Sequence, residues 1–194
     1  LSNVCTHRGM RLATEACRSK GLQCKYHGRR FNLDGTFLHM PEFGEAVNFP
    51  TEGDNLAEYS LTEWNGIYFT AVDVLKSLDL SFLDSRLSWL NISNFERDSS
   101  RDREYTIDAN WALYCENYLE GFHIPYVHPE LNQVLDYSDY RVECFSGGVL
   151  QIGIAKENDV CFDLPENSPD YGLKVAAYYV WLFPNLMLNF YPWG

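Results

Sequence analysis

Residues 5–9 read CTHRG and residues 24–35 read CKYHGRRFNLDG, and the frame of the whole chain follows from these two runs. Each joins a thiol to an imidazole, as Cys5-x-His7 in the first and Cys24-x2-His27 in the second, with sixteen residues between them. Soft thiolates and neutral imidazoles in two mixed halves fit a 2Fe-2S centre in which Cys5 and Cys24 hold one iron and His7 and His27 the other. Exchanging two thiolates for imidazoles leaves such a cluster less negative and easier to reduce than an all-cysteine one. A structural zinc site of the same four ligands is the competing reading. Zinc motifs, however, place cysteine with cysteine and histidine with histidine, whereas here each half is mixed.

A second pattern lies in residues 110–131, NWALYCENYLEGFHIPYVHPEL, as Glu120-x2-His123-x4-His128. Trp111, Cys115, Tyr118, Leu119 and Phe122 recur at helical spacing and predict one apolar stripe. Glu116, Glu120 and His123 fall on a separate face, which alone would be an ordinary solvated surface. His128 changes that reading. Residues five apart are about 140° out of phase on a regular helix, so both imidazoles reach one metal only if the helix is disturbed. Pro125, which removes a backbone donor and crowds the preceding turn, predicts a break or a π-type widening within 122–128. Two histidines and a carboxylate make the facial triad of non-haem iron(II) sites that activate dioxygen, and two of those three ligands are present here.

The first two runs closely resemble the cluster-binding loops of Rieske proteins, over roughly residues 1–45. Cys5, His7, Cys24 and His27 match the family's four ligands, and Gly28 matches the glycine that follows the last of them. Arg29 stands where many members carry tryptophan, at a position that touches no ligand. The second pattern resembles the catalytic signature of Rieske non-haem iron oxygenase α subunits, with Asn110-Trp111, Glu116-Asn117, Glu120, His123 and His128 matching in turn. The resemblance implies that His123 and His128 bind a mononuclear iron(II), with Glu120 and Asn117 as candidate catalytic residues. Glu120 corresponds to a carboxylate, often aspartate in the family, that bridges an iron-bound histidine to a cluster histidine of the neighbouring subunit. Its plainer role is an i, i+3 partner that steadies His123. The family's third iron ligand is a distant carboxylate and would lie beyond Gly194. Asp136, Asp139 and Glu143 are too close to the histidines to match it and read as ordinary surface or loop acids. The chain is therefore expected to be the middle of a longer protein.

The resemblance further implies an α+β fold, a β-rich Rieske 2Fe-2S domain followed by a catalytic domain with a curved antiparallel sheet and a long iron-bearing helix. The implied activity is oxygenation, with electrons drawn from NAD(P)H through a ferredoxin or flavin reductase. Dioxygen and a small organic substrate, aromatic or quaternary ammonium, would be hydroxylated or oxidatively demethylated. The NYLEGFHIPYVHPEL stretch is more similar to choline- and carnitine-type monooxygenases than to naphthalene-type dioxygenases. A homotrimer, with or without a β subunit, is the implied assembly. The alternative is a Rieske-type electron-transfer protein without oxygenase chemistry, which would bind no iron at His123 and His128.

Composition agrees with a cytoplasmic enzyme: 46% of the 194 residues are hydrophobic and 22% charged, and no apolar run is long enough for a membrane helix. The net charge of −12 argues against nucleic acid as a partner. That charge is uneven, since residues 1–30 carry seven Lys or Arg and one acid, Glu15. Such a basic segment suits an acidic ferredoxin or a neighbouring subunit's acidic surface, or it offsets the charge of a cluster. Cys17, Cys115, Cys144 and Cys161 form no disulfide-like framework. We expect a cluster domain over 1–48, its remainder and a connector over 49–104, and a catalytic domain over 105–194. Glu63 to Val74 predicts a strand, 78–90 a short helix, 94–104 a polar connector, and 140–155 short strands. Residues 174–183 and 186–191 predict a hairpin about Pro184-Asn185.

Overall fold

The two Cys–His runs end up on tight loops because the chain between and after them is built from very short strands. In the computed structural model, which describes residues 1–71 and 78–193, the chain divides into two units, Leu1–Leu78 and Asp79–Gly194. In the first, β1 (Leu22–Gln23), β2 (Arg30–Phe31) and β3 (Phe37–His39) pair antiparallel in that order. The pairs Leu22 with Phe31 and Gln23 with Arg30 leave residues 24–29 as the hairpin loop that carries Cys24 and His27. Phe31, fully buried, packs with Cys5, Leu12, Cys24 and Leu56 in a small core.

β4 (Leu61–Trp64) and β5 (Ile67–Thr70) form a separate hairpin. The single strand expected over Glu63 to Val74 is therefore two strands folded back on each other, and residues 72–74 lie outside the described residues. Asn65 and Gly66 make the turn, at φ of 50° and 84°. Positive φ at both central positions is what a two-residue hairpin turn needs, and Asn-Gly supplies it at low cost.

The second unit opens with α1 (Ser81–Leu87) and a 3-10 turn at Ser88–Leu90, within the expected helical segment. A short 3-10 turn at Ser99–Arg101 interrupts the polar connector. Next come α2 (Trp111–Leu119), α3 (Ile124–Val127) and α4 (Pro129–Val134). The sheet follows as an antiparallel meander of β6 (Arg141–Phe145), β7 (Gly148–Ile154), β8 (Val175–Leu182) and β9 (Leu186–Phe190). β7 and β8 are buried almost throughout, so both faces of the sheet's centre are covered and their sequences run apolar without strict alternation. Arg86 of α1 donates to Glu143 of β6 at 2.6 Å and to Asp170 at 2.7 Å, and the Tyr178 hydroxyl of β8 donates to Asp170 at 2.9 Å. Glu143, expected as an ordinary surface acid, thus helps tie α1 to the sheet. No described helix is long and apolar enough to cross a membrane.

The long iron-bearing helix implied by the resemblance is three short helices. Asn110 caps α2, its side chain accepting from the Ala112 N–H at 2.9 Å, but the chain leaves the helix at Glu120, which is extended (φ −120°, ψ 154°). Pro125 is not the breaking residue. It sits in the first turn of α3, and Pro129 in the first turn of α4, where a missing N–H has no helical acceptor to lose. Of the expected apolar stripe, Cys115 is buried and Tyr118 and Leu119 are partly so, while Trp111 and Phe122 are exposed. Phe122 leaves the stripe because the helix has already ended.

Candidate functional site

In the first unit, Cys5 and Cys24 are 2% and 3% exposed, with their thiols within hydrogen-bonding reach. The two loops share one backbone wiring. The Cys5 N–H donates to the Met10 carbonyl at 2.8 Å and the Gly9 N–H to the Cys5 carbonyl at 3.0 Å; the Cys24 N–H donates to the Arg29 carbonyl at 2.8 Å and the Gly28 N–H to the Cys24 carbonyl at 3.1 Å. Gly9 and Gly28 both have positive φ, 69° and 76°, a conformation that side chains with a Cβ resist. At Gly28 a Cβ would also lie 3.2 Å from Pro41.

From this base the imidazoles of His7 and His27 point outward, partly exposed and exposed respectively, with ring centroids 4.9 Å apart. Burial holds the Cys5 thiol above its usual range, and the neighbouring Cys24 adds to that. Burial also pushes the His7 imidazole down, helped by His27, Arg8 and Arg29, which favours the neutral form that binds metal. Thiols inside and imidazoles outside is the polarity a two-iron cluster needs. Among the described residues, no group of three or more His, Cys, Asp or Glu side chains is arranged about a single metal ion.

In the second unit, the break after α2 brings His123 and His128 together, with ring centroids 5.1 Å apart and the planes at 73°. His123 lies at the N-terminus of α3, and His128, with φ −119° and ψ 69°, is the hinge between α3 and α4. Glu120 bonds the Nδ1 of His123 through one carboxylate oxygen, and its other oxygen accepts the Phe122 N–H. The His123 hydrogen bond, with the Phe122 N–H behind it, holds the Glu120 carboxyl below the usual carboxylate range. With Nδ1 engaged, Nε2 is the nitrogen left for a metal. A carboxylate on the far ring nitrogen is a common way to fix a metal-binding histidine. The Asn117 amide nitrogen is 3.5 Å from the same Nδ1, a distance at which it is a neighbour rather than a strong partner.

A cavity of about 180 Å³ adjoins this pair, lined by His123, His128, Glu120 and the rings of Tyr118, Tyr140 and Tyr179. Burial holds all three phenols well above their ordinary range, so they face the cavity as neutral rings and hydroxyls. The Tyr118 hydroxyl donates to Asn189 at 2.6 Å, and Gln151 donates to the Tyr118 carbonyl at 2.8 Å while accepting from the Tyr140 hydroxyl at 3.2 Å. Sequence reasoning placed Tyr118 on the apolar stripe rather than at the site and did not single out Tyr140, Gln151, Tyr179 or Asn189. Gln151 left one visible sign, a lone amide within the apolar run GVLQIGI of residues 148–154.

Comparison with known proteins covers both units. A family described as the Rieske 2Fe-2S domain matches residues 1–59, and one described as the ring hydroxylating alpha subunit (catalytic domain) matches residues 93–193. Choline monooxygenase, chloroplastic, of Arabidopsis thaliana is 30% identical over 98% of this chain and 47% of its own length. The carnitine monooxygenase oxygenase subunit of Escherichia coli K12 is 28% identical over 98% of this chain and 50% of its own. The chain thus spans about half the length of these relatives. Among solved structures, a quaternary ammonium Rieske monooxygenase aligns with a TM-score of 0.67 at 24% identity, covering 98% of this chain and 51% of its own. Naphthalene 1,2-dioxygenase from Rhodococcus sp. aligns at 0.60 and 22%, covering 96% and 50%. At these identities the structures show a shared fold.

Proposed function

Because this chain belongs to the ring-hydroxylating oxygenase α subunits that carry a Rieske domain, we propose that it is the electron-accepting and oxygen-activating part of such an enzyme. Cys5 and Cys24 would hold the inner iron of a 2Fe-2S cluster, His7 and His27 the outer one, and His123 and His128 a mononuclear iron(II). Bound at these residues, the cluster would supply single electrons and the iron would activate dioxygen for attack on an organic substrate. Glu120 engages His123 through Nδ1 and so would leave Nε2 to hold the iron, and the tyrosines line the adjoining cavity. Asn117 flanks the pair, its amide nitrogen 3.5 Å from the His123 Nδ1.

The observation that carries this reading is the approach of His123 and His128 to 5.1 Å in a chain that also presents the Cys–His loops. A pure electron carrier has no use for it. We take a small quaternary ammonium compound as the substrate, since choline and carnitine monooxygenases are among the relatives and three tyrosines line the cavity, aromatic rings being a means of holding such a cation. Electrons would come from NAD(P)H through a ferredoxin or flavin reductase, in a cytoplasmic homotrimer whose cluster domain spans residues 1–48 and part of 49–104 and whose catalytic domain spans 105–194.

Metal analysis after anaerobic reconstitution tests the assignment. We expect about three irons per chain, two in the cluster and one mononuclear, with the visible spectrum of a His-ligated cluster. His123→Ala should lose the mononuclear iron and product formation while keeping the cluster's colour. Iron restricted to the cluster in the unaltered protein would support the carrier instead, and a colourless zinc protein would overturn both.

A further inference from the structure

Immediately after Gly28 the chain turns a charge inward. Arg29 is 3% exposed, and its guanidinium carbon lies 5.0 Å from the ring centre of Phe37, 5.5 Å from Phe49 and 5.7 Å from Phe31. One terminal nitrogen pairs with the Asp54 carboxylate, while Nε has no hydrogen-bond partner among the described residues. Asp54 is in turn fixed by Thr51, whose N–H donates to its second oxygen at 2.7 Å. The Asp54 carbonyl accepts the hydroxyl of Thr6, the residue between Cys5 and His7, at 2.8 Å. Asp54 therefore clasps both ligand loops, the first through Thr6 and the second through Arg29.

We propose that Arg29 and Asp54 are positioning residues that set the reduction potential of the cluster, with the buried guanidinium favouring the reduced state and Asp54 fixing that charge between the two loops. This rests on the cluster assignment above. Reduction adds one electron, delivered by an iron–sulfur or flavin donor, and makes or breaks no bond in the protein. It adds negative charge, so a nearby cation stabilises the product of the step. A cation's influence depends on its screening: the exposed Arg8 acts through water and counterions, whereas Arg29 acts through a low-dielectric aromatic box. The cationic end of the pair sits on the residue directly after Gly28 in the second ligand loop, while Asp54 reaches the first loop only through its backbone carbonyl. A purely structural ion pair would need no such placement, because apolar residues of similar volume fill a buried site at least as stably.

Potentiometric titration of the full chain carrying its cluster, followed by electron paramagnetic resonance and visible circular dichroism, tests this. Arg29→Gln should weaken reduction about tenfold, a shift of about 59 mV to more negative potential for one electron. Arg29→Lys should recover most of that shift, because the charge returns, and Asp54→Asn should move the potential the opposite way. If Arg29→Gln does not retain a cluster, Asp54→Asn decides, and the absence of a positive shift counts against the proposal. Loaded variants that all keep the unaltered potential, or a Lys variant as shifted as the Gln one, would overturn it while leaving the cluster assignment intact. Failure of the unaltered protein to assemble a cluster would instead overturn that assignment, and the proposal with it.

Discussion

Glu120 splits its carboxylate between two local acceptor tasks, His123 Nδ1 on one oxygen and the Phe122 N–H on the other. Each carboxylate oxygen has two lone pairs, so steadying His123 leaves capacity for a second donor such as a cluster histidine of a neighbouring subunit. The two roles weighed from the sequence are thus compatible. Glu120→Gln tests the second: an amide has one acceptor oxygen and must turn its NH2 toward one former donor. Both metals should still load, but cluster oxidation by oxygen in stopped-flow should slow by at least tenfold. An unchanged rate in a fully metallated variant would show that Glu120 serves His123 alone. At this scale the candidate ligands were legible because Cys and His in mixed pairs have few ordinary uses. Arg29 was not, because its meaning lies in Asp54, twenty-five residues away, and in a burial that a strand-end arginine does not announce.

The elements explain why His123 and His128 meet. Sequence periodicity predicted a helical stripe from Trp111 to Phe122 and the need for a break, but placed that break at Pro125, where local rules put it, whereas α2 ends at Leu119. What ends α2 is tertiary. Gln151 of β7, 1% exposed, donates to the Tyr118 carbonyl in the last turn of α2 and so satisfies one of the orphan acceptors that every helix end leaves. Gly121 then passes so close to the 3-10 turn at Tyr137–Asp139 that a Cβ there would lie 3.2 Å from the Tyr137 ring. Neither contact is visible to a local window. Replacing Gln151 by leucine should leave the Tyr118 carbonyl and the Tyr140 hydroxyl unpaired, at a cost of about 1–3 kcal/mol. Urea unfolding measures that loss. Because the break is held from this point, iron affinity at the histidine pair should fall as well; a destabilised variant with unaltered iron binding would show that the break is set elsewhere.

Across the whole molecule, charge and burial are divided between the units. Six of the seven basic residues in 1–30 are exposed, Arg29 being the exception. The sheet unit concentrates buried phenols instead. Tyr118, Tyr140, Tyr178 and Tyr179 are all held above the ordinary range, chiefly by burial, with Asp170 adding to the effect at Tyr178. A group whose folded pKa is raised contributes stability that is fully present below its unfolded value, here about 10 for a phenol, and that is lost as pH climbs through the folded value. The unfolded chain releases these protons first, so alkali favours it, and the repulsion among an excess of acids acts in the same direction. We therefore expect the sheet unit to unfold cooperatively above about pH 10, with a step in tyrosinate absorbance that coincides with the loss of the β-sheet circular dichroism. Tyr178→Phe, which removes both a buried phenol and the hydrogen bond to Asp170, should make that alkaline loss of stability shallower. If tyrosinate instead rises smoothly to completion while the sheet signal stays intact, the four rings are ionising in the folded state, and burial does not keep Tyr118, Tyr140, Tyr178 and Tyr179 protonated in alkali.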